Sequence, residues 1–194
     1  MQLVFATNNP NKIKEVQTLI PNHIKLLSLS DIGCFEDIPE TQNTIAGNAK
    51  QKAAYIKTHY NYACFADDTG LEVNALNGVP GVHSAYYAGE QRNANNNMDK
   101  LLAQLESKPN RSAQVKTVIA LYLNNNLLTF TGICKGEITM AKQGKKGFGY
   151  DPIFKPQGED QTFAQMDLDL KNRIGHRGKA IAKLIAFLNT ATLK

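Results

Sequence analysis

Cysteine is scarce in this chain, tryptophan is absent and no long apolar run occurs. The three cysteines, Cys34, Cys64 and Cys134, are odd in number, far apart and without the paired spacing of a metal site. That usage excludes a disulfide-stapled scaffold and fits reduced, buried thiols in a cytosolic protein. No apolar stretch approaches the roughly 20 residues that span a bilayer. The opening "MQLVFATNNPNK" also lacks a basic segment followed by a long apolar one and a small-residue cleavage site, so no signal peptide is expected. The expectation is a soluble, cytoplasmic protein. Runs of one charge are missing too. Lys and Arg outnumber Asp and Glu by 22 to 17, for a net charge of +5, but the excess is scattered. It suits a phosphate-bearing small molecule at least as well as nucleic acid.

At 42% hydrophobic and 20% charged residues over 194 positions, the composition is that of a globular unit able to bury a core without staples. "QLVFA" reads as a strand, closed by the turn-forming "TNNPN". A helix with Ile13, Val16, Leu19 and Ile20 on one side follows. "IKLLSL" reads as a second strand, and Ile45, Ala49, Ala53 and Ile56 recur at helical spacing in a long helix. "YACFA" is a third strand, read as ending at Asp67. After the irregular "NALNGVPGV" come a helix around Met98 to Leu105, a hairpin of two long strands about Asn124–Asn126, a glycine-rich loop "KQGKKGFGYDP" and a last helix with Ile181, Leu184, Ile185 and Leu188 on one face. Asn93–Asn97 reads as a helix start. The pattern is mixed α/β, a single domain over 1–194, without linker or repeat.

Four constellations could carry chemistry. Thr7, Asn8, Asn9, Pro10, Asn11 and Lys12 lie between a strand and a helix, where backbone N–H groups, small polar side chains and a lysine make a phosphate-sized anion site. The glycines of a P-loop are absent, and a capped helix start is the alternative. Glu40, Asp67 and Asp68 form an acidic group suited to a hard cation, which takes one or two carboxylates and shares phosphates. Neighbouring side chains on an extended chain point to opposite faces, so only one of the aspartates faces a given cleft. The other reading has them capping a turn at Thr69 and Gly70. In "GFGYDP", Gly147 to Pro152, the glycines leave Phe148 able to stack on a nucleobase and Asp151 able to accept from a ring N–H; a core aromatic is the alternative. In "GHRGKA", His176 and Arg177 are donors suited to a carbonyl or phosphate oxygen, although a His-Arg pair is more often solvated surface. Lys52 and Lys171 carry the same alternative.

"TNNPNK", "PETQNTIAGNAKQKA", "FADDTGLEVNALNGVPGVHSA", "GFGYDPIF" and "HRGKA" stand in the order and spacing of one family, from Met1 to about Leu188. The chain resembles the inosine/xanthosine triphosphate pyrophosphatases, which remove deaminated purine nucleotides. The resemblance implies an elongated α/β fold with a mixed central sheet and flanking helices, two lobes with a substrate cleft, and a homodimer. It also implies Mg²⁺-dependent hydrolysis of ITP, dITP or XTP between the α and β phosphates. Carried over residue by residue, Thr7 to Lys12 and Lys52 would bind phosphates, Glu40 and Asp68 the metal. Asp68 would be the proton acceptor for the attacking water, with Thr69 beside the substrate. Phe148, Gly149, Tyr150 and Asp151 would bind the base, with Lys171, His176 and Arg177 completing the pocket. Two positions depart from the family: Gly175 stands where Ser is usual and Tyr86 where Arg is frequent. Two other readings have the same polar residues serve a nucleotide- or nucleic-acid-binding module without turnover, or a pyrophosphatase for other modified nucleotides.

Overall fold

The structure is a computed structural model that describes residues 1–191. Its described strands are β1 (Gln2–Phe5), β2 (Lys25–Leu27), β3 (Cys64–Val73), β4 (Pro80–Gly81), β5 (Ser112–Leu123), β6 (Asn126–Ile138) and β7 (Phe154–Pro156). The helices are α1 (Pro10–Gln17), α2 (Ile45–Tyr60), α3 (Ala94–Gln104), α4 (Leu168–Ile174) and α5 (His176–Ala191). The strands form a mixed sheet in the order β2-β1-β3-β5-β6-β7, with β4 added to β3. β1 runs parallel to both β2 and β3, while β3–β4 and β6–β7 are antiparallel. The expected mixed α/β fold is therefore observed.

The described chain divides into two compact units, one of residues 1–68, 117–132 and 176–191, the other of residues 69–116 and 133–175. Each buries its own apolar cluster. In the first, Leu3, Phe5, Phe65, Ile119 and Leu121 pack with Val16 of α1 and with Ala180, Ile181, Leu184 and Leu188 of α5. Phe5 and Phe65 are register partners and their rings stack with centroids 4.5 Å apart, a cross-strand aromatic pair that fastens β1 to β3. In the second unit, Leu71, Val73, Leu101, Leu105, Val115 and Ile138 enclose Phe154 and Phe163.

Local chemistry sets the ends of these elements. Asn9, Thr44, Asn93 and Asp167 each cap a helix by accepting a backbone N–H from its first turn. Asn124 and Asn125, both at positive φ, make the two-residue connection between β5 and β6. Both asparagine clusters thus have the structural roles expected of them. The three cysteines are free and buried.

One boundary differs from the sequence reading. β3 does not end at Asp67 but runs on to Val73, with Leu71 and Glu72 paired to Gly81 and Pro80 of β4. Asp67 and Asp68 therefore lie inside a strand and cap no turn. A carboxylate is tolerated there because partners from helices satisfy it. The short β4, β7 and α4 were not foreseen; stretches of two, three and seven residues leave too little periodicity to read.

Gly132 of β6 sits where a Cβ would overlap the His176 carbonyl oxygen and the Ala180 backbone nitrogen. This close approach seats the start of α5. Gly132→Ala should cost about 1–3 kcal/mol, seen as a drop of several degrees in the thermal midpoint by circular dichroism. An unchanged midpoint would mean that α5 can move away freely.

Candidate active site

The loop after β1 is braced by its own side chains. The Thr7 N–H donates to the Phe5 carbonyl (2.9 Å) and the Asn9 N–H to Thr7 Oγ1 (3.2 Å). Asn9 Oδ1 then accepts from the N–H groups of Asn11 (3.0 Å) and Lys12 (3.3 Å), with Pro10 in the first helical position. Both the phosphate-site and the helix-cap readings of "TNNPNK" rest on the same geometry, because a capped start still presents the positive end of α1.

Lys12 reaches from this loop to β3, where its Nζ lies 2.9 Å from Asp67 Oδ1. The other Asp67 oxygen accepts from Arg177 Nε at 3.0 Å, and Arg177 Nη1 donates to Glu15 Oε2. Asp67 is 1% exposed, Arg177 2% and Glu15 5%, so this is an interior network of two cations and two anions in the first unit. Burial by itself would raise the Asp67 carboxyl, but Lys12, Arg177 and Lys52 outweigh it and hold the group far below the usual carboxylate range. Asp67 is ionised throughout the neutral range. The reading of Arg177 as solvated surface is excluded, and so is that of His176, which is also buried.

Asp68 has other neighbours. Asn48 Nδ2 on α2 donates to Asp68 Oδ2 (3.3 Å), and Lys52, one turn further along the helix, pairs with Glu40. Both Asn48 and Lys52 are buried. Burial raises the Asp68 carboxyl above its ordinary value, Lys52 and Lys12 draw it down, and Glu40 and Asp67 push it up. The loop carrying Glu40 is fastened to the same helix. Asn48 Oδ1 accepts from the Gln42 N–H (2.9 Å), while Gln51 accepts from the Thr41 N–H and donates to Thr41 Oγ1, both at 2.9 Å.

Among the described residues no group of three or more His, Cys, Asp or Glu side chains forms a ready metal cage. The donor set expected of Glu40 and Asp68 is all oxygen. It is also electrostatically crowded, a condition that a bound cation relieves. Such a set fits an ion of the Mg²⁺ type, which keeps waters and shares phosphates, and does not fit a closed zinc site.

The second unit holds the remaining predicted residues. Asp151 Oδ2 accepts from the Phe148 N–H (2.7 Å) and from Lys171 Nζ (2.6 Å), so this carboxylate shapes its own loop. The Lys171 ammonium lies 4.9 Å from the centre of the half-buried Phe148 ring. Gly147 has φ +74, and a Cβ there would overlap the Asp151 carboxylate. The Tyr150 hydroxyl donates to the Ser84 carbonyl (3.0 Å) and Gly149 has φ +63. Thr69 follows Asp68 along β3 and is half-buried. Lys171 sits on α4, whose start is capped by Asp167.

At Gly175 a Cβ would overlap the Lys171 carbonyl oxygen, so the chain as it runs here leaves no room for a serine side chain. At Tyr86 the Arg92 guanidinium lies over the ring, 5.7 Å from its centre.

Residues 3–187 match the model of the Ham1 family. The chain belongs to that family. A relative in Flavobacterium johnsoniae, named dITP/XTP pyrophosphatase, is 63% identical over 192 residues, spanning 99% of this chain and all of the relative. Another of the same name in Flavobacterium psychrophilum is 64% identical over 187 residues, covering 96% and 98%. Among solved structures, the Staphylococcus aureus Ham1 protein superposes with a TM-score of 0.90 at 38% identity, covering 98% of this chain and all of its own.

Sequence reasoning missed Glu15, Asn48 and Gln51. The signal available was positional: Glu15 is one turn beyond Lys12 on α1, and Asn48 one turn before Lys52 on α2.

Because the Asp67 carboxyl is depressed, its pairing contributes stability that is fully present above its unfolded value near pH 4 and is lost as pH falls toward the folded one. Asp67→Asn should destabilise by about 3–5 kcal/mol at pH 7, chiefly by stranding the buried Arg177, with a smaller gap at pH 3. Urea unfolding at the two pH values measures this, and a gap that does not shrink in acid would remove Asp67 as the ionised anchor.

Proposed function

We propose that this chain hydrolyses deaminated purine nucleoside triphosphates, ITP, dITP and XTP, to the monophosphate and pyrophosphate, and so clears them from the nucleotide pool. The observation that carries this reading is the half-buried Asp68 carboxylate set among Glu40, Lys52 and Lys12 in a chain whose relatives bear the name dITP/XTP pyrophosphatase.

Phosphoryl transfer requires positioning and cancellation of charge more than covalent help. The loop from Thr7 to Lys12 and the ammonium of Lys52 bind the triphosphate, and Thr69 lies against it. Glu40 and Asp68 would hold Mg²⁺, which when bound supplies charge neutralisation at the phosphates. Asp68 accepts a proton from the attacking water as its oxygen bonds to the α-phosphorus. The bond to the bridging oxygen breaks and pyrophosphate leaves. Lys52, paired with Glu40, keeps that carboxylate oriented while facing the anionic substrate.

Phe148 to Asp151 take the base, with Phe148 as stacking surface and Lys171 holding the loop through Asp151. A side-chain donor facing the 6-oxo oxygen would select for a deaminated purine, and Arg177 itself is committed to Asp67 and Glu15. An adenine amino group in that place would set donor against donor, a mismatch that discriminates by orders of magnitude. Magnesium dependence, a homodimeric assembly and a cytoplasmic setting complete the reading. No described helix is long and apolar enough to cross a membrane.

A nucleotide panel with pyrophosphate detection should show ITP and XTP cleaved with Mg²⁺ and ATP and GTP left largely intact. Comparable turnover of ATP and ITP would defeat the selectivity argument. Asp68→Asn should lower kcat by on the order of 10²-fold or more while nucleotide binding by calorimetry persists. Undiminished turnover would show that Asp68 is not the base.

A further inference from the structure

α2 does more than supply Lys52. Its half-buried amide Gln51 and buried amide Asn48 grip the two residues that follow Glu40, and Asn48 also touches Asp68. Asn48 Oδ1 takes the Gln42 N–H at 2.9 Å while its Nδ2 donates to Asp68 Oδ2 at 3.3 Å. The orientation of the amide is fixed by chemistry. The flipped amide would oppose donor to donor at Gln42 and acceptor to carboxylate at Asp68. With 2% of its surface exposed, Asn48 has no water to replace either bond, and a buried amide left half satisfied is costly.

Asn48 and Lys52 lie four residues apart, hence on one face of the helix. That face meets both proposed metal-site acids: Asn48 at Asp68 and Lys52 at Glu40. The Thr44 hydroxyl caps the same helix turn by accepting the Gly47 N–H at 2.9 Å, so the segment that presents Asn48 is itself held. The two carboxylates come from elements distant in sequence, a loop and a strand, and repel each other. One neutral side chain joins the Asp68 carboxylate to the backbone two residues beyond Glu40.

We propose that Asn48 is a positioning residue for the hydrolysis: it holds the Asp68 carboxylate in register with the Glu40 loop, so that base and metal ligands keep a common geometry. The proposal rests on the function set out above. A neutral amide suits this place because it donates to Asp68 without neutralising it, whereas a lysine in its position would compete with the cation.

The test compares Asn48→Ala and Asn48→Asp with the parent chain, using pyrophosphate release from ITP, ITP binding by calorimetry without magnesium, and thermal melting. Asp in this place retains an acceptor for Gln42 but turns the other oxygen against Asp68; Ala loses both contacts. If Asn48 positions Asp68, both folded variants lose about 10- to 100-fold in kcat, with KM and metal-free ITP binding within about threefold of the parent. If Asn48 only fastens the loop, Asn48→Asp keeps the parent's kcat, and the proposal is overturned. Equal kcat in folded Asn48→Ala overturns it as well. A parent chain that releases no pyrophosphate from ITP would defeat the functional reading itself, an outcome distinct from either variant's.

Discussion

Asp67 is a buried anion between a buried cation, Arg177, and a half-buried one, Lys12, and the first unit is arranged around that fact. A carboxylate in the middle of a strand is costly to desolvate, and the cost is recovered only when both oxygens meet charged donors of good geometry. Lys12 arrives from the start of α1 and Arg177 from the start of α5, at 2.9 and 3.0 Å. Glu15 balances the second of these cations. α1, β3 and α5 are thereby joined by charge as well as by the apolar contacts of Val16, Phe65 and Ile181. Removing any one of the four charges strands another in the interior, so the network acts as a unit.

The neighbouring Asp68 is held differently. The neutral amide of Asn48 donates to it, and lysines and acids act on it from a distance. Asp67 is thus neutralised by its partners, whereas Asp68, half-buried, lies in the mixed field of Lys52, Lys12, Glu40 and Asp67. Two adjacent residues of the same type acquire different surroundings from the elements that face them. The same division appears in the second unit, where Asp151 is engaged by Lys171 and its own loop while the Phe148 ring remains half open.

Much of this was legible in the chain itself. The helical recurrence of Ile45, Ala49, Ala53 and Ile56, the asparagine hairpin and the capped start after "TNNPNK" all have local causes, and all appear as read. The separation of Asp67 from Asp68 by strand alternation was also foreseeable, since a pleated strand sends neighbours to opposite faces. What misled was the end of the third strand. A doublet of aspartates beside a glycine looks like a turn as long as nothing is known of the helices that neutralise it. His176, Arg177, Lys52 and Lys171 looked like surface for the same reason, because a charged residue is buried only when a partner is brought to it.

The sequence by itself determined the periodic elements, their caps and the family, because these depend on residues near one another in the chain or on motifs in a recognisable order. Only the tertiary structure decided which charges are paired. Glu15 and Arg177 are 162 positions apart and Asp67 and Arg177 are 110 apart, and no local pattern encodes such meetings. Asn48 joining Asp68 to the Glu40 loop is of the same kind: an ordinary helical asparagine in the sequence, given its place by the burial that leaves its amide two partners and no water.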